Sequence, residues 1–394
     1  MKSCVDTRAK WILTFPLFPF PLTLTRMDGV LIIDKPAGWT SHDVVARVRR
    51  VLRERRTGHT GTLDPFATGV LVVLVGRATR LAQFLSGAEK EYDATVRFGY
   101  ATETGDLTGA RREQPPRMET AAAGDGANAA RTCAEWSGEE IERALESLRG
   151  EIEQVPPMYS AKKVGGRKLY ELARRGIEIE RAAVRVRVRE LEVLAIDGAP
   201  ATQAGGADES WAGSAHESRG GGGDEPRAGS GDESGTGGAR LRGNADGTCD
   251  LRVRVACSAG TYVRVLAEDL GARLGTGAHL AALRRTRAGA FDIAQAVTLE
   301  HLEQRAEAGL AGELLITPDA ALPELPFVHL TAEDARRVRH GASVRVGDDG
   351  GSFWREGERV RMRDAAGTLL AIGVYDRTRG ELRPRVMLDG GGEK

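Results

Sequence analysis

The sequence predicts a mixed α/β fold followed by a small β-rich unit, and three patterns predict it. Two apolar runs of strand length, Val30–Ile33 and Val70–Val75, bracket one amphipathic helical stretch. Two further segments, 184–189 and 251–255, alternate valine or leucine with arginine, as strands with one buried face do. After Pro318, short strand-like pieces are spaced by glycine turns.

Taken in chain order, residues 11–24 are apolar and follow three basic residues, but Pro16, Pro19 and Pro21 break any helix there. The run is also too short to span a bilayer. Residues 1–26 are therefore expected to be a disordered tail or an extension from an upstream start codon, with Met27 opening the folded chain. The strand at Val30–Ile33 ends in a Pro/Gly turn, Asp34 to Gly38. A helix follows with Thr40 or Ser41 as N-cap, Val44, Val48, Val51 and Leu52 on its apolar stripe, and arginines elsewhere. A loop from Thr57 to Thr68 leads to the second apolar strand, and Tyr92–Phe98 reads as a third. Ser137-Gly138-Glu139-Glu140 is a capping box opening another helix. Between the two arginine-bearing strands, residues 198–247 hold Gly, Ser, Ala, Asp and Glu with almost nothing apolar. Such a stretch cannot bury enough surface to order itself, so a disordered insertion within one domain is expected. Residues 121–130 read the same way. Strand-like pieces at Ser343–Val346, Glu358–Arg363 and Leu369–Val374 place the small β-rich domain near 325–389.

Net charge is zero, yet it is unevenly spread. Residues 201–250 carry nine acids against four arginines, whereas 158–190 carry ten Lys/Arg against four acids and 251–290 seven against two. Basic surface on the folded part is the footprint expected for phosphate binding. The four cysteines are scattered without a C-x-x-C pair, which argues against a zinc site or a disulfide framework and suits a reducing cytoplasm.

The segment richest in chemistry is Gly58-His59-Thr60-Gly61-Thr62-Leu63-Asp64-Pro65-Phe66-Ala67-Thr68-Gly69. Its glycines permit tight backbone geometry and close ligand approach, and Pro65 stiffens the chain beside the single carboxylate, Asp64. An isolated Asp-Pro in a loop is ordinarily a turn residue. Here the whole segment resembles the signature of the TruB family of tRNA pseudouridine-55 synthases. Further blocks resemble that family in the same order: Asp34-Lys35-Pro36 with Gly38, Lys90-Glu91-Tyr92, Val155 to Lys163 with Gly166 to Tyr170, Gly260-Thr261-Tyr262-Val263-Arg264, and Gly277-Ala278-His279-Leu280 with Leu283-Arg284-Arg285. They run from Gly29 to about Thr298, and the C-terminal stretch resembles a PUA domain, an RNA-binding module.

The resemblance implies a largely antiparallel central sheet of the pseudouridine synthase fold with flanking helices, catalytic over residues 27–318. It implies Asp64 as nucleophile, Tyr92 and Tyr262 lining the uracil pocket, and Arg264 paired with Asp64. Lys35 would support the pocket base, Leu283 would help close it, and His59 would stack in the T-loop where the target base leaves. The chemistry agrees: isomerisation moves one glycosidic bond from nitrogen to carbon with nothing added or lost, so a carboxylate nucleophile needs neither metal nor cofactor. The arginine is expected to lower the Asp64 pKa, and aromatic rings suit a flipped base. The implied partner is the T-loop of tRNA, with a monomeric enzyme, no membrane and no obligate protein partner. A guide-RNA-dependent synthase and a non-catalytic tRNA-binding protein are the alternatives. Glu91 and Asp93 depart from the pattern by flanking Tyr92 with acids near the presumed RNA face.

Overall fold

A computed structural model of the chain describes residues 27–112, 136–160, 162–196, 243–346 and 354–389. The expected tail at 1–26, the stretch at 121–130 and most of the acidic insertion lie outside these residues. The chain runs β1 (Gly29–Lys35), α1 (Ser41–Val51), β2 (Thr57–Thr60), β3 (Thr68–Val75), α2 (Ala82–Leu85), β4 (Lys90–Phe98), α3 (Gly138–Glu146) and β5 (Gly150–Gln154). It continues through a small hairpin, β6 (Lys163–Val164) and β7 (Arg167–Lys168), to α4 (Leu169–Ala173), β8 (Val184–Ile196), β9 (Cys249–Cys257), α5 (Val263–Arg273), β10 (Ala278–Ala288), β11 (Phe291–Asp292) and α6 (Leu299–Glu307). The last part holds β12 (Phe327–His329), α7 (Ala332–Arg339), β13 (Val344–Arg345), β14 (Arg359–Arg363), β15 (Leu369–Asp376) and β16 (Glu381–Met387).

The main sheet has the order β1-β3-β10-β4-β9-β8-β5, with β2 on β3 and β11 on β10. Every pairing in it is antiparallel except β3 with β10, where Thr68 and Gly69 pair with Arg284 and Arg285. The largely antiparallel α/β fold is as the sequence implied. Gly69 is essential to this parallel pairing: its φ is +95°, and a Cβ there would stand 2.2 Å from the Arg285 carbonyl oxygen. β1 takes one edge of β3, so β2 and β10 share the other, β2 against Val72–Val75 and β10 against Thr68–Gly69. The chain between β2 and β3, which carries Asp64, leaves the sheet where that edge passes from one partner to the other. The sequence left Thr57–Thr60 in a loop; its four residues pair with β3 because the edge there is vacant.

The apolar runs are explained by burial on both faces. Leu31, Ile33, Leu71 and Val73 pack under α1 and α6, while Val30, Ile32, Val70 and Val72 face the other way. Thr40 is the N-cap of α1 and forms a capping box with Asp43, which leaves Ser41 free for another use. The Ser137–Glu140 capping box opens α3 as expected. A third core lies under α3 and α5 against β4, β9 and β10.

The C-terminal strands form a five-stranded sheet, β12-β14-β15-β16-β13. One of its faces has its own core, but Leu369, Ile372, Val386 and Leu388 join Val30, Ile32, Val70 and Val72 in a shared one. Arg77 extends that joint with an ion pair to Asp389 at 3.3 Å. Residues 243–247, the end of the expected insertion, form a turn, and Gly243 bridges to Cys249. Of the four cysteines, Cys4 and Cys133 lie outside the described residues, and Cys257 is a buried free thiol. No described helix is long and apolar enough to cross a membrane.

Candidate active site

Asp64, Tyr92, Tyr262, Arg264 and Leu283 converge on one cleft of about 250 Å³. Four different elements bring them there: the β2–β3 loop, β4, the start of α5 and β10. Residue Tyr262 sits at the N-cap of α5, with its backbone held on both sides by Gln154: its N–H donates to Oε1 at 3.0 Å and its carbonyl accepts from Nε2 at 3.3 Å. That puts Arg264 in the first turn of the helix, aimed back at the loop. Tyr92, in the middle of β4, pairs with Val255 on one side and Arg285 on the other and is nearly buried.

Arg264 Nε lies 3.0 Å from Asp64 Oδ2. The rest of its guanidinium is also committed: Nη1 donates to the Thr104 carbonyl at 2.8 Å and Nη2 to the Tyr159 carbonyl at 2.6 Å. A second carboxylate, Asp106, stands 3.6 Å from Nη1. Its other oxygen accepts from the Thr104 hydroxyl and from the Thr108 backbone and hydroxyl, so it is itself fixed. Arg264 is thus a rigid bridge between two aspartates.

The expectation that Arg264 lowers the Asp64 pKa holds for the sign of its own effect but not for the outcome. Although 35% of the Asp64 side chain reaches the cleft, the carboxyl is hemmed in on its remaining sides. Burial pushes its pKa up, Asp106 pushes it further, and the pull of Arg264 and Lys35 is smaller than these.

Lys35 and His59 do not line the cleft. Lys35 is fully buried behind the loop, where Nζ donates to the carbonyls of Pro36 at 2.9 Å, Trp39 at 2.7 Å and Pro65 at 3.2 Å. It ties the β1–α1 turn to the residue after Asp64, and burial lowers its pKa to about 8. His59 lies on β2, packed edge-on against His42 with ring centroids 5.5 Å apart. Burial, with His42 and Arg285 nearby, lowers its pKa to about 4, so it is neutral at physiological pH.

Four residues that matter here were not singled out by the sequence reading. Ser41 grips the loop one residue before Asp64, donating to the Leu63 carbonyl at 3.1 Å and accepting from its N–H at 2.9 Å. A serine at the first helical position reads as a second capping candidate, which hid this role. Asp106 lies in an irregular segment with no pattern of its own. Lys90 and Arg285 belong to matched blocks, but only the structure turns their side chains into the cleft.

The acids flanking Tyr92 also gain an explanation. On the opposite face of β4, Glu91 accepts from Arg287 at 2.9 Å and faces Arg254 at 3.8 Å, and Asp93 pairs across the sheet with Arg284 and Arg254. Glu91 is a counter-ion to Arg287 and Arg254, while Asp93 lies in the field of Arg254, Arg252 and Arg284 without a direct ion pair among the described residues. Other arginines are likewise engaged: Arg47 is bidentate to Glu303 at 2.5 and 2.8 Å, and Arg185, in the basic stretch 158–190, faces Glu153. The free basic surface is smaller than the sequence suggested.

The N-terminal domain model of TruB family pseudouridylate synthases matches residues 49–204, and the C-terminal domain model of tRNA pseudouridylate synthase B matches 264–317. The tRNA pseudouridine synthase B of Geobacillus kaustophilus is 42% identical over 324 residues, covering 81% of this chain and 92% of the relative. The chain belongs to the TruB family of pseudouridylate synthases. Its relative of the same name in Ralstonia nicotianae is 38% identical over 360 residues, covering 91% of this chain and 93% of the relative. Among solved structures, a chain of the archaeal box H/ACA sRNP Nop10-Cbf5 complex is similar in fold, with a TM-score of 0.56 at 24% identity, covering 98% of this chain and 93% of that one. Of the TruB motifs named from the sequence, those holding Asp64, Lys90 with Tyr92, Ser160, Tyr262 with Arg264, and Leu283 with Arg285 line this cleft, and those at 34–38, 166–170 and 277–280 do not.

Proposed function

We propose that the chain isomerises uridine 55 in the T-loop of tRNA to pseudouridine, with Asp64 as nucleophile. The observation that carries this is a lone carboxylate fixed 3.0 Å from a buried arginine in a cleft walled by Tyr92, within a TruB chain. The target base leaves the RNA stack and enters the cleft, where Tyr92 and Tyr262 offer ring faces and Leu283 an apolar wall. Asp64 acts as nucleophile on the nucleotide and the glycosidic bond to N1 breaks; the uracil turns, C5 bonds to C1′ as Asp64 is released, and the proton lost from C5 is balanced by one gained at N1. Arg264 keeps Asp64 aimed throughout. Lys35 acts from behind, holding the loop through the Pro65 carbonyl, and His59 meets the RNA outside the cleft, in the place the base vacates. Because the product is an isomer of the substrate, no redox group or transferred group enters the balance, and no cofactor is invoked.

Residues 27–318 are assigned to catalysis and 325–389 to a PUA-like RNA-binding unit that lies on the catalytic sheet. The enzyme acts as a cytoplasmic monomer on tRNA. Incubation with an unmodified tRNA transcript, followed by carbodiimide mapping, tests the reading. Pseudouridine at one T-loop position supports it; product elsewhere, or product only when a guide RNA is added, overturns it.

A further inference from the structure

Three cations besides Arg264 line the cleft, the half-buried Lys162 and the buried Arg285 and Lys90; neither of the two buried ones has a carboxylate partner among the described residues. Arg285 is 1% exposed and Lys90 is 7% exposed. Arg285 donates from Nε to the Val70 carbonyl at 2.6 Å and from Nη2 to the Gly61 carbonyl at 2.9 Å. The Lys90 ammonium donates to the carbonyls of Ser86, at 2.8 Å, and Ala88. The two heads meet at the start of the Asp64 loop: a Cβ on Gly61 would lie 3.3 Å from Arg285 Nη1 and 3.6 Å from Lys90 Cε. Gly61 itself has φ +70° and leaves that space open.

Burying two like charges side by side is costly, and uncharged acceptors repay little of that cost. Amide side chains could cap the same carbonyls without it. The cost shows at Lys90, whose pKa is lowered to about 8 by burial first and by Arg285 second. Lys90 keeps one ammonium N–H in reserve, and Arg285, whose guanidinium also meets the Tyr92 hydroxyl, keeps donors on Nη1 that no carbonyl takes. An anion entering the cleft would find a pair of positive heads with no carboxylate partner, in a cleft that Thr62 and Ser258 also line.

We propose that Lys90 and Arg285 form a phosphate subsite that grips a phosphodiester flanking the target uridine. The inference rests on the proposed RNA substrate. Its physical sense is that Asp64, an anion, must accept a nucleotide that brings its own negative charge into the same cleft. Two cations at the root of the loop offset that repulsion and fix the sugar relative to the carboxylate.

The test uses tRNA stem-loop oligonucleotides with a neutral methylphosphonate 5′ or 3′ of the target uridine, and a control with the same group several nucleotides away. Affinity and isomerisation are measured for the wild type and for Lys90→Gln, which retains donors for the carbonyls but loses the charge. On ordinary RNA, Lys90→Gln should weaken binding about tenfold or more, the range of a lost charge-assisted contact. It should flatten the salt dependence by roughly 0.7–0.9 in logarithmic slope, as for one phosphate. With the methylphosphonate at one of the two flanking positions, the wild type should show the same losses and the variant no additional one. An equal effect of Lys90→Gln on all RNAs would overturn the subsite. If the variant misfolds, the wild type alone decides: neutralising one of the two flanking phosphates should cost more affinity than neutralising the control, and no such difference would overturn the subsite. Failure to isomerise ordinary RNA, with the binding pattern intact, would overturn the activity and leave the subsite standing.

Discussion

Arg264 reaches Asp64 with Nε alone, at 3.0 Å, because its other two nitrogens are held by the carbonyls of Thr104 and Tyr159. The ion pair is therefore directional. The carboxylate is pinned on one oxygen and presents the other to the cleft. Replacing Arg264 with methionine should remove this aim and leave two carbonyls and two carboxylates without their donor, at a cost of about 3–5 kcal/mol. Arg264→Lys should recover part of the stability but little of the turnover, since one ammonium nitrogen cannot reach the three separate places that the spread guanidinium nitrogens occupy. Melting curves and single-turnover rates separate these effects; a lysine variant with wild-type turnover would contradict the argument.

Asp64→Asn should abolish isomerisation while leaving tRNA affinity within a few-fold, because the amide keeps the shape without the nucleophile. The pH dependence follows from the raised carboxyl pKa. Activity needs the ionised form, so the acid limb of kcat/KM should lie above the range of an ordinary aspartate. For stability the sign is the reverse of the usual carboxylate case. The folded state binds the proton more tightly than the unfolded chain, so ionising Asp64 disfavours folding as pH rises through its folded pKa. Asp64→Asn should therefore melt higher than wild type at neutral pH, with an advantage that shrinks on acidification. An advantage that grows toward low pH would show that Arg264 outweighs burial.

Ser41→Ala should lower turnover more than affinity, since Ser41 grips Leu63 on both its N–H and its carbonyl. The cost in stability should be about 1–3 kcal/mol, that of leaving a buried polar group without its partner. A change in KM alone would argue that the loop needs no such anchor.

Most of the site's outline could be read from the sequence because TruB motifs are contiguous blocks and the cleft is built from loop and strand ends within them. The strands of β1 and β3 were legible because burial on both faces writes an uninterrupted apolar run. What escaped were roles set by orientation across the sheet. Lys90 and Tyr92 sit two positions apart on β4 and so share a face, but which face meets the cleft depends on pairing with β9 and β10. The same pairing turns Glu91 from an anomaly into a counter-ion and sets Asp93 in the field of arginines. The sign of the Asp64 pKa was missed because a residue pattern shows the paired arginine and not the enclosure around it.

Deleting residues 198–242 and closing the gap with a short turn should leave activity and melting temperature nearly unchanged. The motive is composition, which offers no apolar surface to bury. The flanks support it: Ile196 pairs with Leu251 and Gly243 bridges Cys249, so the ends to be joined already lie in adjacent strands. A drop of several degrees in melting temperature would show that the segment contributes to the fold.

Cutting the chain after Pro318 should damage the catalytic sheet as well as RNA binding. A detached accessory domain could be removed at little cost, but here β15 and β16 supply Leu369, Ile372 and Val386 to the core over Val30, Ile32, Val70 and Val72. Truncation would expose that face of β1 and β3, and β3 is the strand into which the Asp64 loop runs. The joint is also tied by charge: Asp389 takes Arg77 at 3.3 Å and Arg339 at 3.0 Å. The milder probe is Ile372→Ala, which removes buried atoms at the joint and should cost about 2–5 kcal/mol. Because the damage lies behind the loop, turnover at saturating tRNA should fall as the sheet loosens. A truncated enzyme that melts and turns over like the full chain, and only binds tRNA less tightly, would show that the two sheets are energetically independent.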